Sequence, residues 1–166
     1  MLVLLLVAVL AHRHRKPTPE PTATNESRPV SPSRGTPSGP ATNVNIGAAG
    51  GELKSSDGRF AVSIPPGAFL AETPVSIQPL SDTEGIAVGP VYQLSPEGTN
   101  FAAPVTLAWQ LSDADLAGHP ITDVVIATRE EDGGWSRQRQ VTYNSTTGTV
   151  RVSATHFSGW AGIWKK

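Results

Sequence analysis

The sequence predicts an all-β chain: a single antiparallel β-sandwich preceded by an apolar N-terminal segment and a disordered Pro/Ser/Thr-rich linker. Three observations predict it. From Ile46 onward, apolar residues alternate with small or polar ones at a period of two, the pattern of strands with one wet face. Sixteen Gly and fifteen Pro are too many for a helical protein and suit short strands joined by turns. Composition shifts near residue 45, leaving a globular part of roughly 120 residues, a size that buries about two thirds of its unfolded surface without staples.

Residues 1–11 form the first segment. Leu2 to Ala11 is an unbroken apolar run, shorter than the roughly 20 residues a bilayer demands. It fits the hydrophobic region of a signal peptide, with Val9-Leu10-Ala11 as the small-residue cleavage site, but no positive region precedes it. The preferred reading is an export signal whose start lies upstream of Met1; a truncated membrane anchor is the alternative. Residues 12–45 are read as basic flank and linker. His12-Arg13-His14-Arg15-Lys16 reads as a solvated flank, and residues 1–16 as the place where the chain would meet a membrane. Two His at i, i+2 make a poor metal site without further ligands. Pro17 to Pro40 holds almost no large apolar residue, so it is expected to stay extended as a semi-rigid polyproline II spacer. Asn25-Glu26-Ser27 and Asn144-Ser145-Thr146 are glycosylation acceptors if the host is eukaryotic.

The domain itself is placed at residues 46–166. Phe60, Val62 and Ile64 alternate with small or polar residues, and that strand stops at Pro65-Pro66-Gly67. Val105, Leu107, Trp109 and Leu111 share one face, with Thr106, Ala108 and Gln110 on the other. Val150, Val152 and Ala154 alternate with Arg151, Ser153 and Thr155. Val75 to Leu80, Val91 to Ser95, Asp123 to Arg129 and Gln138 to Asn144 are further strands. Gly133-Gly134 and the stretch from Asn144 to Gly148 read as hairpin connections. Ser112 to Ala117 alone suggests a helical turn, capped by Ser112 or Asp113. Eight or so strands at this spacing imply a sandwich.

Several function classes drop out. The net charge of −1 is unevenly divided, basic before Asn45 and mildly acidic after it. The folded part therefore lacks the clustered positive charge that nucleic acid requires. There is no cysteine, which removes disulfides, thiolate chemistry and lipobox lipidation. No cofactor or metal motif is read. Asp113 with Asp115, and Glu130-Glu131-Asp132, lack the ligand spacing of a calcium loop and are expected in solvated turns. His119, before Pro120, is expected on the surface.

Gly50-Gly51, Ile64-Pro65-Pro66-Gly67-Ala68, Gly89-Pro90, Pro104-Val105-Thr106-Leu107 and His156-Phe157-Ser158 occur in that order. Together they resemble the ZU-five domain, shared by zona occludens protein, netrin receptors of the Unc-five type and ankyrins, with similar copies in bacterial and archaeal exported proteins. The resemblance covers about residues 46 to 164. It implies a β-sandwich used mostly as an interaction module, here without the second sandwich and death domain of the animal proteins.

Some members of that family cut their own chain between Phe and Ser of this tripeptide. The resemblance implies Ser158 as nucleophile on the Phe157 carbonyl through an N-to-O acyl shift, with His156 as general base or polarising group. A strained peptide would help drive the shift, and Gly159 would ease its geometry. The structural reading is that Phe157 is a core residue, Ser158 a strand residue and His156 a partly exposed edge position. Trp160 and Trp164 lie on one face of a strand, where an exposed pair would stack on sugar rings; packing beneath a neighbouring loop is the other reading. The expected function is a non-catalytic extracytoplasmic interaction or adhesion module on a stalk, secreted or surface-anchored, with a protein or cell-surface or wall ligand. Autoproteolysis and carbohydrate binding are the alternatives.

Overall fold

A computed structural model describes residues 35–165; the apolar segment, the basic flank and most of the linker lie outside them. In chain order the strands are β1 (Thr42–Ile46), β2 (Gly51–Lys54), β3 (Phe60–Ile64), β4 (Thr73–Leu80), β5 (Val91–Ser95) and β6 (Asn100–Gln110). A short helix α1 (Asp113–Leu116) follows, then β7 (Val124–Arg129), β8 (Trp135–Arg137), β9 (Val141–Asn144), β10 (Thr149–His156) and β11 (Gly159–Trp164). They form two antiparallel sheets packed face to face, a β-sandwich. The first has six strands in the order β1-β4-β5-β11-β7-β8 and the second five, β2-β3-β6-β10-β9. Among the described residues no helix is long and apolar enough to cross a membrane.

The period-two faces become the core. Val62, Val105, Leu107, Trp109 and Val150 are fully buried, and Phe60, Ile64, Leu111, Val152 and Ala154 nearly so. Each large side chain contributes roughly 1.5–3 kcal/mol by leaving water. Two aromatic groups anchor opposite ends. At one, Phe60 stacks on Tyr92 with centroids 4.4 Å apart and meets the edge of Trp109 at 4.6 Å. At the other, Phe101 stands edge-on to Phe157 at 4.6 Å and to Phe69 at 5.6 Å. Ser112 caps α1, its side chain accepting from the Asp115 N–H in a capping box.

The fold begins earlier than residue 46. Val44 and Ile46 turn inward from β1, which pairs with β4 from Thr42↔Ile77 to Ile46↔Thr73. Upstream, Ser38 N–H donates to the Pro79 carbonyl at 3.0 Å. An edge strand needs only one partner, so polar Asn43 and Asn45 are tolerated on its wet face. The remaining additions to the predicted set, β2 and β8, are also edge or near-edge pieces of three or four residues.

The recurring motifs sit where segments interlock. Gly50, at φ +72, lies against the β3 exit: a Cβ there would land on the Ile64 carbonyl oxygen, 2.7 Å from the Pro65 carbonyl carbon. Gly67 N–H donates to the Ala48 carbonyl at 2.8 Å, tying the Pro-Pro-Gly turn back to the β1–β2 connection. The Ser81–Pro90 connection folds back as a strap along β11. Ala87 bridges Ile163, and Val88 N–H donates to the Gly162 carbonyl at 2.7 Å. With Val125 and Trp135, Ala87 closes a second apolar cluster on the outer face of the first sheet, made of Leu80, Val91, Ala127, Ala161 and Ile163.

Candidate functional site

His156-Phe157-Ser158 is the crossover that carries the chain from β10 in one sheet to β11 in the other. A register shift between Ala154 and His156 re-aims the strand, after which His156 pairs with Asn100. Phe157 N–H donates to the Thr99 carbonyl at 3.1 Å, and the Phe157 carbonyl accepts from Gly98 N–H at 3.0 Å. The Phe157 ring is fully buried in the aromatic group above. Ser158 is buried; its carbonyl accepts from Leu94 N–H at 3.0 Å, and its hydroxyl donates to the Arg129 carbonyl at 2.7 Å. All three residues thus clamp the β5–β6 connection and β7 to the crossover.

For acyl transfer, the hydroxyl would have to leave that acceptor and meet a base. His156 lies partly exposed with its ring 6.0 Å from the Trp160 ring, and the Ser158 proton goes to Arg129 instead. No residue from 156 to 159 has a left-handed φ, so Gly159 does not serve the strained geometry expected of it. Its missing side chain serves packing: a Cβ there would lie 3.3 Å from Arg129 Cβ and from Gln93 Oε1.

Trp160 and Trp164 share a face, as the spacing predicts, but that face looks into the sandwich. Trp160 is 1% exposed. Trp164 is half-buried, packs on the core and lies 4.8 Å from the His119 ring. The exposed aromatic pair that sugar stacking requires is absent at these positions, because β11 is a central strand covered on both sides. Asp115 and Asp132 serve as local caps, accepting from Ser112 N–H at 2.6 Å and Gly134 N–H at 2.7 Å. Among the described residues no group of three or more acidic or His side chains is placed to hold a metal. His119 is exposed.

Sequence reasoning missed an anionic anchor at the Phe60–Trp109 end. The Asp57 carboxylate accepts from Ser55 Oγ, from Arg59 N–H at 3.0 Å and from Tyr92 OH at 2.8 Å. Burial pushes this carboxyl up, but the hydrogen bonds and the Arg59 charge outweigh it and hold it below the usual range. Burial and the Asp57 carboxylate push the Tyr92 phenol well above its ordinary value. Nearby, Arg59 pairs with Asp115.

Two concavities lie among the described residues. One of about 660 Å³ lies between α1 and the β9–β10 turn, with Asp113 and His119 its only ionisable side chains. The other, about 480 Å³, is a shallow trough along the outer face of the second sheet. Register builds it: Lys54, Ala61, Ala108 and Arg151 form one cross-strand row, and Glu52, Ser63, Thr106 and Ser153 the next. Two cations therefore flank an alanine floor about 14 Å apart, three strand spacings. Compared with known proteins, the chain matches no family model and no curated protein sequence.

Proposed function

We propose that this chain is a non-catalytic interaction or adhesion module, held outside the cytoplasm on its Pro/Ser/Thr-rich stalk, which binds a protein or cell-surface ligand through the trough of the second sheet. The contrast between the two outer faces carries this reading. The first sheet hides its outer apolar cluster beneath the strap and Trp135. The second presents a small-residue floor with Lys54, Arg151 and Glu52 exposed around it, and nothing among the described residues lies over it. A low floor ringed by charge admits close backbone approach and sets specificity at the rim. The resemblance to ZU-five domains supports the same use. Retention of the purified chain on cells or wall fragments of its host tests it. Ala108→Arg, which fills the floor, and Arg151→Glu are each expected to lower retention at least about tenfold, the effect of a central interface residue. Equal retention of parent and both variants overturns the reading.

Self-cleavage at Phe157–Ser158 is the second reading, favoured by one contact: Gly98 N–H already donates to the carbonyl that would be attacked. The Ser158 hydroxyl's bond to Arg129 supports the non-catalytic reading. Intact mass after denaturation decides. A fragment ending at Phe157 that disappears in Ser158→Ala would establish cleavage; one uncut mass leaves the tripeptide as architecture.

A further inference from the structure

The larger concavity is built from connections, not from a sheet face. It lies between α1 and the β9–β10 turn and holds about 660 Å³, within the roughly 300–1,000 Å³ of small-ligand clefts. Core side chains line its base: Leu111 and Ile121 are 4% and 5% exposed, and Leu116 is half-buried. One wall is fastened where Leu111 N–H donates to the Gly148 carbonyl at 2.8 Å. Glycine is required there, because at φ +65 a Cβ would sit 2.5 Å from the Leu111 carbonyl oxygen. The other wall turns at Ala117, φ 48, the one non-glycine residue in the left-handed region among the described residues. That reversal is closed by His119 N–H on the Leu116 carbonyl at 2.8 Å. It leaves the His119 side chain at the cleft, its ring braced 4.8 Å from the Trp164 ring.

Which polar groups are free decides what fits. Asp115 is spent on Ser112 and Arg59. Among the described residues, the Asp113 carboxylate and the hydroxyls of Thr122, Ser145 and Thr146 form no hydrogen bond, and no lysine or arginine lines the cleft. An anion would meet Asp113 with no counter-charge. A fatty chain would strip water from that carboxylate and the hydroxyls without replacing it. A small ammonium ion would satisfy Asp113 but leave the apolar base uncovered.

We propose that this cleft is a binding site for a neutral sugar. Asp113 accepts from two neighbouring ring hydroxyls, a charge-assisted pair. His119 and the hydroxyls of the β9–β10 turn hold the next, and the C–H face of the ring covers Leu116. Trp164 then serves the sugar from behind, as the brace of His119, and not by stacking on it. The site goes beyond the trough, with which it shares no lining residue, so either can fail alone.

Titration of the full isotope-labelled chain, followed by its ¹⁵N–¹H amide spectrum, tests the site. The probes are the methyl glycosides of glucose, galactose and N-acetylglucosamine, with acetate and tetramethylammonium as charged controls. At least one glycoside should shift the amides of Asp113, Leu116, His119 and Thr146 saturably, with those of Ala61 and Ala108 in the trough unmoved. Asp113→Asn, which leaves the Ser112–Asp115 cap intact, should weaken that glycoside about tenfold, the worth of a hydrogen bond to a charged group. Ser145→Trp, a change on an exposed turn that fills the cleft, should abolish the shifts while the rest of the spectrum stays that of the parent. Saturable shifts with tetramethylammonium or acetate alone, no saturable shift with any glycoside, or an affinity unchanged in both variants would overturn the proposal.

Discussion

Tyr92 shows how one side chain can be both core and anchor. Its ring stacks on Phe60, while its hydroxyl reaches out of the core to the Asp57 carboxylate. Asp57 and Asp115 both have carboxyls held below the ordinary value of 3.8 once hydrogen bonds and Arg59 outweigh burial. A group whose folded pKa is depressed adds stability above its unfolded pKa and loses it as pH falls through the folded one. Urea unfolding midpoints should therefore place Asp57→Asn below the parent at pH 7, with the gap closing below pH 3.8. A gap that persists at pH 2 would show that packing, not charge, sets the effect. At the crossover the same logic separates the members of the tripeptide. Phe157→Ala opens a cavity in a fully buried aromatic group and should cost about 3–5 kcal/mol. Ser158→Ala removes one hydrogen bond and should cost about 1 kcal/mol. Equal losses in denaturant titrations would contradict that division of labour.

Elements differ in how far their own residues announce them. β6 is legible because Val105, Leu107 and Trp109 alternate strictly over a long strand, and all three are fully buried. β1 is not, since Thr42-Asn43-Val44-Asn45-Ile46 offers only two large apolar residues directly after the linker, and pairing with β4 fixes it as a strand. In β11 the parity of Trp160 and Trp164 was readable but not which face they occupy. A central strand is apolar on both faces, Ala161 and Ile163 outside and the tryptophans inside, and alternation then loses its meaning. The docking of the strap had no local signal, because Glu84 meets partners 45 and 51 residues away. The Gly-Gly and Pro-Pro-Gly motifs were visible, whereas their contact was not. Gly50 is required there by its φ of +72 and by the Ile64 and Pro65 backbone. Gly50→Ala should destabilise by at least about 2 kcal/mol, combining left-handed strain with the clash. A thermal midpoint equal to the parent's would show that the β1–β2 connection yields instead.

At the scale of the whole molecule, the two outer faces answer to different physics. Ala161 and Ala108 are both small residues on strand exteriors, but Ala161 is fully buried under the strap cluster and Ala108 lines the open trough. A carboxylate introduced at Ala161 has no partner and no water, so Ala161→Asp should unfold the chain or cost several kcal/mol. At Ala108 the new group stands in solvent beside Arg151, its cross-strand neighbour. Ala108→Asp should leave stability within about 0.5 kcal/mol of the parent. The pair separates structural surface from binding surface without knowledge of the ligand. If Ala108→Asp keeps the parent's unfolding midpoint and loses retention on the host surface, the trough is held open for a partner and not for the fold. If it destabilises as Ala161→Asp does, the trough is itself covered in solution, and the interaction surface must be sought at the sheet edges.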